Sequence, residues 1–402
     1  MWIAVFAGLC FSLSAQDKFG VKVNVWTLVD DNAFRNYQML SDVVTQPGVT
    51  LYYYHPSERS DVQLEYNGSL AYFQNYLDRK FQHHFLGASG SSDLNDSATV
   101  SLYWTLRGGR RWNGPDYRYY DYGNVTGSFN VRYDAYERGS VTVGLGGQIQ
   151  EYQELPEFNF TEIRTYVQPT LYLPTRTSLI GQVQAGYKKY TEPVVSEEVI
   201  RRVVPVRIVN SDKVGGRWRY GGVTIPVVVN RTVRKVQPGK SVLQVAGLLR
   251  VAQSVFEGTG IAVQGLVRRN PRANGLFASF QDSGYEEEDP LYDDPYSYET
   301  DALSVEATQM LFWGMSLKLG WDAQDKRYSY AAYDMDGSPL PDTDRRDRRT
   351  SVWVSLKKTL PVKGFSPNPV LSLSFSAMRN RSNDPYYDYS NRVSSAGLSF
   401  GL

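Results

Sequence analysis

The chain has very few of the residues that redox chemistry and nucleophilic catalysis use. Its 402 residues include one cysteine, Cys10, and three histidines, His55, His83 and His84. A lone cysteine cannot form an internal disulfide, and histidine supplies the base in most hydrolases that work in membranes. No Gly-x-Ser-x-Gly or His-Glu-x-x-His motif occurs either. We therefore expect no enzymatic activity, no cofactor and no metal site.

Long apolar runs and an excess of charge are also missing. Beyond the N-terminal segment, no run approaches the roughly 18 residues that a membrane-spanning helix needs. The mean hydropathy of -0.41 is too polar for a helical membrane protein. The 43 Lys and Arg residues nearly balance the 42 Asp and Glu residues, for a formal net charge of +1. Charge therefore gives no support to a nucleic-acid partner, and none is expected.

Residues 1–15 have the pattern of a secretory signal peptide. An apolar run over residues 2–11 is followed by the small residues Ser12, Ser14 and Ala15. Cleavage near Ala15 would remove Cys10, so the mature chain would hold no thiol for a disulfide or a metal site. We expect an exported protein whose mature part covers residues 16–402.

The mature part consists of segments in which apolar and polar residues alternate, which is typical of strands with one apolar face. The chain is also rich in Tyr and Gly, with 30 and 34 residues. Sixteen strands are predicted near 20–29, 48–55, 61–73, 80–88, 98–108, 122–134, 140–152, 159–173, 176–190, 241–254, 261–269, 301–311, 315–327, 349–359, 370–380 and 390–402. Short and long connections alternate between them, as in barrels that cross a membrane. Alternation alone would also fit a soluble sandwich.

The C-terminal residues 395–402 place a glycine and alternating large apolar residues at the end of a strand. This pattern resembles the insertion signal of Gram-negative outer-membrane β-barrel proteins, with Gly397, Phe400 and Leu402 as signal residues and Leu402 where that class usually has Phe. The resemblance implies an all-β fold, namely a closed antiparallel transmembrane β-barrel of about 16 strands in the cell outer membrane. It also implies outer-membrane lipids, lipopolysaccharide and the barrel-assembly machinery as partners, and by class analogy a possible homotrimer.

A single barrel domain, residues 16–402, is predicted to carry long extracellular loops near 191–240, 270–300 and 328–348. The first loop is basic and apolar and looks like a hairpin around residues 212–222. It either extends neighbouring strands above the membrane or folds inward as a constriction, in which case the constriction residues are Arg201, Arg202, Arg207, Arg217 and Arg219. The other two loops are rich in carboxylates. We expect both to be solvated, with calcium binding or pairing to the basic loop as alternatives for 270–300.

The polar face of the strands carries charges of both signs that alternation directs inward. The lumen-facing charges predicted in this way are Glu65, Arg107, Arg132, Glu162, Arg164, Lys188, Arg268, Glu306, Lys318 and Lys357. In a wide barrel such groups line a wet channel, whereas in a closed one they pair across the interior. A barrel of sixteen strands is wide enough for water, which favours the channel.

These observations predict a porin-like passive diffusion channel for small hydrophilic solutes. The alternative is a non-conducting structural, assembly or surface-binding barrel whose loops bind a lipoprotein or a polysaccharide. A third interpretation, an enzyme inside the barrel, would need a base. Because His84 lies beside Gln82, His84 is the histidine expected to face inward.

Overall fold

The structure is a computed structural model that describes residues 18–191, 198–214, 217–233, 241–272, 293–335, 337–362 and 368–401. The predicted signal peptide, residues 1–15, lies outside these ranges, as does Leu402 of the insertion signal. Side chains are not described for residues 198–233, for Tyr136 or for Arg272.

The described part of the chain is built almost entirely from strands. They are β1 (Lys18–Asp30), β2 (Asp42–Pro56), β3 (Ser60–Phe73), β4 (Phe81–Asp93), β5 (Val100–Asn113), β6 (Tyr122–Tyr136), β7 (Gly139–Tyr152), β8 (Phe160–Leu173), β9 (Thr177–Tyr190), β10 (Glu198–Val214), β11 (Arg217–Val233), β12 (Ser241–Phe256), β13 (Thr259–Arg272), β14 (Tyr298–Met310), β15 (Met315–Tyr333), β16 (Pro339–Thr359), β17 (Val370–Ser382) and β18 (Tyr389–Gly401).

Sixteen of these strands form one closed antiparallel barrel. Each strand pairs with its neighbour in the chain, except that β9 pairs with β12, and β1 pairs with β18 to close the barrel. Strands β10 and β11 form a separate two-stranded sheet. The predicted fold class and the number of barrel strands are confirmed. Closure gives every strand a hydrogen-bonded partner on both sides, which is the condition for a sheet to cross lipid.

The connections differ between the two ends of the barrel. At one end, which we call the short-turn end, strands are joined by brief turns such as residues 137–138 and 257–258. At the other end, the long-loop end, several connections contain a short 3-10 helix. These helices are Leu77–Arg79, Pro115–Tyr120, Pro156–Phe158, Pro295–Ser297 and Pro385–Tyr387. Among the described residues, no helix has the length and apolar character needed to cross a membrane.

The two faces of each strand differ as the period of two requires. On β6, Val125, Phe129 and Val131 are exposed although they are large and apolar, and the residues between them, such as Ser128 and Arg132, are polar. The same exposed apolar face recurs from strand to strand around the barrel. In a closed barrel the exposed apolar face is the exterior, where lipid covers it, and the polar face lines the interior.

Two predicted loops contain strand. Residues 328–348 are mostly continuations of β15 and β16, and residues 191–240 include β10 and β11. The loop prediction for 328–348 was wrong because charge density was taken as a sign of solvation. Its charged residues instead alternate, so that Arg345 and Asp347 face the interior and pair there, at about 3% and 2% exposure.

Candidate functional site in the barrel interior

Near the long-loop end, every barrel strand contributes at least one buried side chain on its inward face. We call this ring the mouth layer, and its representatives in strand order are Asp30, Val44, Phe73, His83, Arg111, Tyr122, Gln150, Glu162, Lys188, Gln244, Asn270, Thr300, Lys326, Asp347, Asn380 and Asn391. Most of these side chains are polar or charged. Connections of the long-loop end contact several of them, so these side chains are shielded from water.

One connection crosses the mouth layer and is held by ion pairs. Asp294, between β13 and β14, accepts hydrogen bonds from Lys188 Nζ at 2.6 Å and from Tyr190 Oη at 2.7 Å. Tyr296, two residues further on, donates to Glu162 at 2.9 Å. Lys188 also lies 3.7 Å from the centre of the Phe160 ring, which is a cation–π contact. The connection is therefore fixed to β8 and β9 at the long-loop end of the barrel.

The neighbouring Asp293 fixes the same connection to the other side of the layer. Its carboxylate pairs with Lys326 of β15 and lies 3.6 Å from the guanidinium of Arg349 on β16. Thus two adjacent aspartates contact strands that lie on opposite sides of β13 and β14 in the sheet. Asp293 and Lys326 can therefore stay charged without contact with water, because each has a partner of opposite charge.

Arg345 is the centre of a second group in the layer. Its guanidinium forms a bidentate pair with Asp347 and donates to Tyr330 Oη at 2.9 Å. The guanidinium carbon also lies 3.3 Å from the centre of the Tyr387 ring, in the connection between β17 and β18. Asp347 in turn accepts from Ser382 at 2.7 Å. This network satisfies a nearly fully buried arginine, which could not otherwise be buried without a large cost.

Next to the seam between β1 and β18, the connection between β1 and β2 folds in by hydrogen bonds. Asn32 donates to the carbonyl oxygens of Asn36 and Ser390, at 2.7 and 3.0 Å. Asn391 donates to Asp30 at 2.6 Å. Arg79, from the connection between β3 and β4, reaches the carbonyl of Ala33 at 2.7 Å. The layer is thus continuous across the seam where β1 meets β18.

The ionisable groups in these connections are shifted by burial and by their partners. Burial alone would raise the pKa of Asp293, but the positive charges of Lys326 and Arg349 outweigh it, and the pKa is lowered. Burial raises the pKa of Asp384, although Arg345 opposes the change. Burial and the adjacent Glu162 carboxylate raise the pKa of the Tyr296 phenol. At neutral pH Asp293 is therefore ionised and Tyr296 is a hydrogen-bond donor.

Below the mouth layer, the inward side chains are charged and accessible to water. Glu306 lies 3.9 Å from both Arg250 and Lys318, and the three side chains are 29%, 33% and 47% exposed. Because these exposed fractions are far above those of the mouth layer, the middle of the barrel contains a wet space. Ion pairs of this length in water are weak and leave the charges available to a passing solute.

A pocket of about 260 Å³ lies on the inner wall between the mouth layer and this charged band. Arg349 donates to Gln324 at 2.9 Å, and Asp322 accepts from Trp353 Nε1 at 3.1 Å and from Ser351 at 3.3 Å. The wall thus offers a cation, a carboxylate, amides and hydroxyls within one small space, which suits a polar molecule that both donates and accepts hydrogen bonds.

The structure places the ten predicted lumen charges on inward faces, but in two kinds of surroundings. Lys188 and Glu162 belong to the buried mouth layer. The remaining eight, which lie in less buried positions, are Glu65, Arg107, Arg132, Arg164, Arg268, Glu306, Lys318 and Lys357. Arg132, for example, donates to Asp134 at 2.9 Å. Their role in selecting solutes stays a prediction.

The predicted constriction residues lie on the hairpin of β10 and β11. Their backbone positions are paired, for instance Arg202 with Val229 and Arg207 with Thr224. The side chains of the set, Arg201, Arg202, Arg207, Arg217 and Arg219, lie outside the described residues, so the constriction stays a prediction. Of the insertion signal, Gly397 pairs with Trp26, and Phe400 pairs with Val23 on β1.

Sequence reasoning missed the aspartates that fix the connections. Asp293 and Asp294 were expected in a solvated acidic loop, yet the Asp294 side chain is nearly buried. A signal was present, because Asp-Pro-Tyr occurs at residues 294–296 and again at 384–386. In both copies the Asp side chain accepts from the backbone N–H of the Tyr, at 3.1 Å, and starts a 3-10 helix. Such a turn points the following aromatic ring back toward the barrel.

The histidine predicted to face inward does not do so. His83 is the inward residue, with Nε2 3.5 Å from Tyr122 Oη, whereas His84 bonds to Tyr66 on the outer face at 2.7 Å. Gln82 lies on the outer face as well, because it has the same parity as His84. The described residues contain no group of three or more His, Cys, Asp or Glu placed to hold a metal ion.

A closed sixteen-stranded barrel with an apolar exterior is the architecture of Gram-negative outer-membrane proteins. The fold is similar to that of OccAB1 of Acinetobacter baumannii, with a TM-score of 0.51 at 9% identity over 96% of this chain and 97% of that chain. The chain is an outer-membrane β-barrel. It is also similar to the outer membrane protein opdK of Pseudomonas aeruginosa, with a TM-score of 0.47 at 9% identity over 96% and 99% of the two chains.

At these identities the likeness concerns the fold alone. A family model described as surface lipoprotein assembly modifier matches residues 268–401 of the barrel. This match covers the last third of the chain, from the end of β13 to the end of β18. No curated protein shows a significant match to the chain.

Proposed function

We propose that this outer-membrane barrel is a porin-like channel that admits small hydrophilic solutes when its mouth layer opens. The observation that carries the proposal is the contrast between the wet charged band around Glu306 and the buried layer above it. A barrel with a purely structural role gains nothing from solvated charges in the middle of the membrane. A channel uses them to stabilise polar solutes where lipid cannot.

The polar contacts of the connection between β13 and β14 support opening. Moving an apolar cluster such as that around Phe73 or Tyr122 would expose hydrophobic surface to water, at a cost of about 25 cal/mol per Å². The connection between β13 and β14 is instead held by Asp293 and Asp294, which water or a solute can satisfy in an open state. The pocket beneath the layer, with Arg349 and Asp322, would then receive the solute first. Passage beyond it would be passive.

Single-channel recording of the purified protein in a planar bilayer tests this function. We expect short or rare openings, because buried ion pairs hold a connection in the mouth layer, and longer openings for Asp294→Asn, which removes the charge that Lys188 pairs with. Asp388→Asn is a matched control, since Asp388 pairs with Arg379 on the exterior. A folded protein that conducts in neither form would overturn the channel.

A second candidate is a role in the assembly of surface lipoproteins, and the family-model match favours it. The matched residues 268–401 include the connections that contain Asp294 and Asp384, which form part of the closed mouth. In this case the barrel would work on a partner without conducting solutes. Protease accessibility of lipoproteins on cells with and without the gene separates the two functions. A silent barrel whose deletion lowers lipoprotein exposure would support assembly.

A further inference from the structure

The exterior of the barrel has a groove that the channel does not use. It has a volume of about 790 Å³ and crosses the outer faces of β8, β9, β12, β13, β14, β15 and β16. Its apolar walls are Val183, Leu249, Val267 and Leu303, which are all exposed. The apolar part runs from Val183 of β9 to Ala323 of β15, and its four spacings between neighbouring strands, at about 4.8 Å each, give it a length of roughly 19 Å. This length suits an extended acyl chain.

The groove exists because side chains are missing from its floor. A Cβ atom added at Gly247 or at Gly265 would have no heavy atom within 4 Å. In a lipid-facing wall, the gain from filling such a space is dispersion contact rather than the hydrophobic effect, since the surrounding lipid is equally apolar. An acyl chain lying in the groove would make contacts on several sides, unlike a chain on a convex wall.

One end of the groove is charged. Asp325 and Arg348 line it, and their side chains lie 3.9 Å apart and are 48% and 74% exposed. Asp301 also lines this end and is shared by Arg269 and Arg327. These residues stand just beyond the apolar exterior of the same strands, at the level where lipid headgroups meet water.

Arginines stand directly opposite one another at this end. Arg348 of β16 is in register with Arg381 of β17, and Arg346 is in register with Arg327 of β15. Like charges directly opposite on one face of a sheet destabilise it. Within the described residues Arg346 and Arg381 form no salt bridge, and Arg327 Nε has no hydrogen-bond partner. An anion between Arg348 and Arg381 would remove the repulsion between these two residues.

We propose that this groove binds one phosphorylated, acylated lipid of the outer leaflet, with an acyl chain over Gly247 and Gly265 and a phosphate between Arg348 and Arg381. Two independent observations point to the same ligand, because an apolar trough ends at an excess of arginines. Arginine is suited to phosphate, since its planar guanidinium makes two parallel hydrogen bonds to it. Asp301 pairs with the neighbouring Arg269 and Arg327, and Asp325 lies 3.9 Å from Arg348.

Native mass spectrometry of the detergent-solubilised protein tests the site with three probes, which are bisphosphorylated lipid A, dephosphorylated lipid A and phosphatidylcholine. We expect one tightly bound bisphosphorylated lipid A per barrel. Retention of dephosphorylated lipid A, which lacks the phosphates, and of phosphatidylcholine, whose own choline cation balances its phosphodiester, should be at least tenfold weaker. Equal retention of the three would overturn phosphate recognition. Retention of dephosphorylated lipid A alone would do the same.

Variants locate the binding. Gly247→Leu with Gly265→Leu fills the groove, and Gly127→Leu is its control, because Gly127 is an outward glycine of β6 on another part of the wall. Arg348→Gln with Arg381→Gln removes the phosphate partners, and Arg110→Gln on β5 is the control. We expect about tenfold weaker lipid A binding in each double variant and unchanged binding in both controls. Unchanged binding in the arginine variant, whose side chains are exposed, would place the lipid elsewhere.

Discussion

Lys188 and Asp294 form a buried ion pair that joins the barrel wall to the connection between β13 and β14. The Nζ and Oδ2 atoms lie 2.6 Å apart, and the side chains are only 2% and 5% exposed. Breaking a buried pair by removing one partner typically costs about 3–5 kcal/mol, because the other charge is left without compensation. We therefore expect Lys188→Met to lower the free energy of unfolding by about that amount, as measured by urea unfolding in detergent micelles.

The double variant Lys188→Met with Asp294→Asn separates the ion pair from simple packing. The amide introduced by Asp294→Asn would still accept a hydrogen bond from Tyr190, so most of the loss should be recovered when both charges are absent. If the double variant were as unstable as the sum of the two single variants, the charges would not be interacting and the pair would have no role in holding the connection.

Acid should open the mouth layer through Asp293. The pKa of Asp293 is below its ordinary value of 3.8, because Lys326 and Arg349 outweigh the effect of burial. A carboxyl with a lowered pKa contributes stability that is complete above the ordinary value and is lost as the pH falls through the lowered one. We expect channel open time to rise below about pH 4, as recorded in a planar bilayer across a pH series.

Two variants assign this acid response. Asp293→Asn should abolish it and give longer openings at every pH, since the neutral side chain cannot pair with Lys326. Asp384 should affect stability in the opposite direction, because burial raises its pKa. Protonation of Asp384 as the pH falls removes the cost of burying its negative charge. Asp384→Asn should therefore leave the acid opening in place. An acid response that persists unchanged in Asp293→Asn would assign it to other groups.

The sequence predicted the fold better than the interior. A period of two is a local property, so alternation located all sixteen barrel strands, and closure was expected from the resemblance of residues 395–402 to the insertion signal of outer-membrane barrels. Contacts such as that between Lys188 and Asp294 join residues 106 positions apart. They depend on which connection folds inward, and no local pattern specifies this. The Asp-Pro-Tyr repeat was the available signal, but it marks a turn and not its partner.

The length of strands at the long-loop end could not be predicted for a related reason. Residues 328–348 have the charge density of a loop, and a sequence contains no information on whether a charge will find a buried partner. Arg345 and Asp347 are two residues apart on one strand, so they share a face and neutralise each other. Charge pairing at i and i+2 thus extended β16 into a segment that looked solvated.

Ion selectivity should depend on Glu306, the carboxylate between two cations of the wet band. Removing it with Glu306→Gln leaves Arg250 and Lys318 without their nearest negative charge. One unit charge at about 4 Å in water is worth about 1 kcal/mol, or roughly fivefold in local ion concentration. We expect the reversal potential in a salt gradient to shift toward anion preference, and Lys318→Gln to shift it the other way. Equal shifts in the same direction would show that neither group lies along the path.

Gly397 lies in the strand pair that closes the barrel, where β18 pairs with β1, and its partner in register is Trp26. A Cβ atom at this position would overlap the indole ring more closely than real structures allow. Because the ring is large and overlaps the added methyl group, Gly397→Ala must displace it and should cost about 1–3 kcal/mol. Gly265→Ala is the matched control, since its added methyl group meets open space. We expect Gly397→Ala to lower the fraction of folded barrel after insertion, measured by mobility in unheated SDS gels.

Replacing Trp26 with Leu in the Gly397→Ala chain should restore folding, because the smaller side chain leaves room for the methyl group. If Gly397→Ala folded as well as Gly265→Ala, the glycine would not be needed for strand closure, and its place in the C-terminal pattern would rest on recognition during insertion.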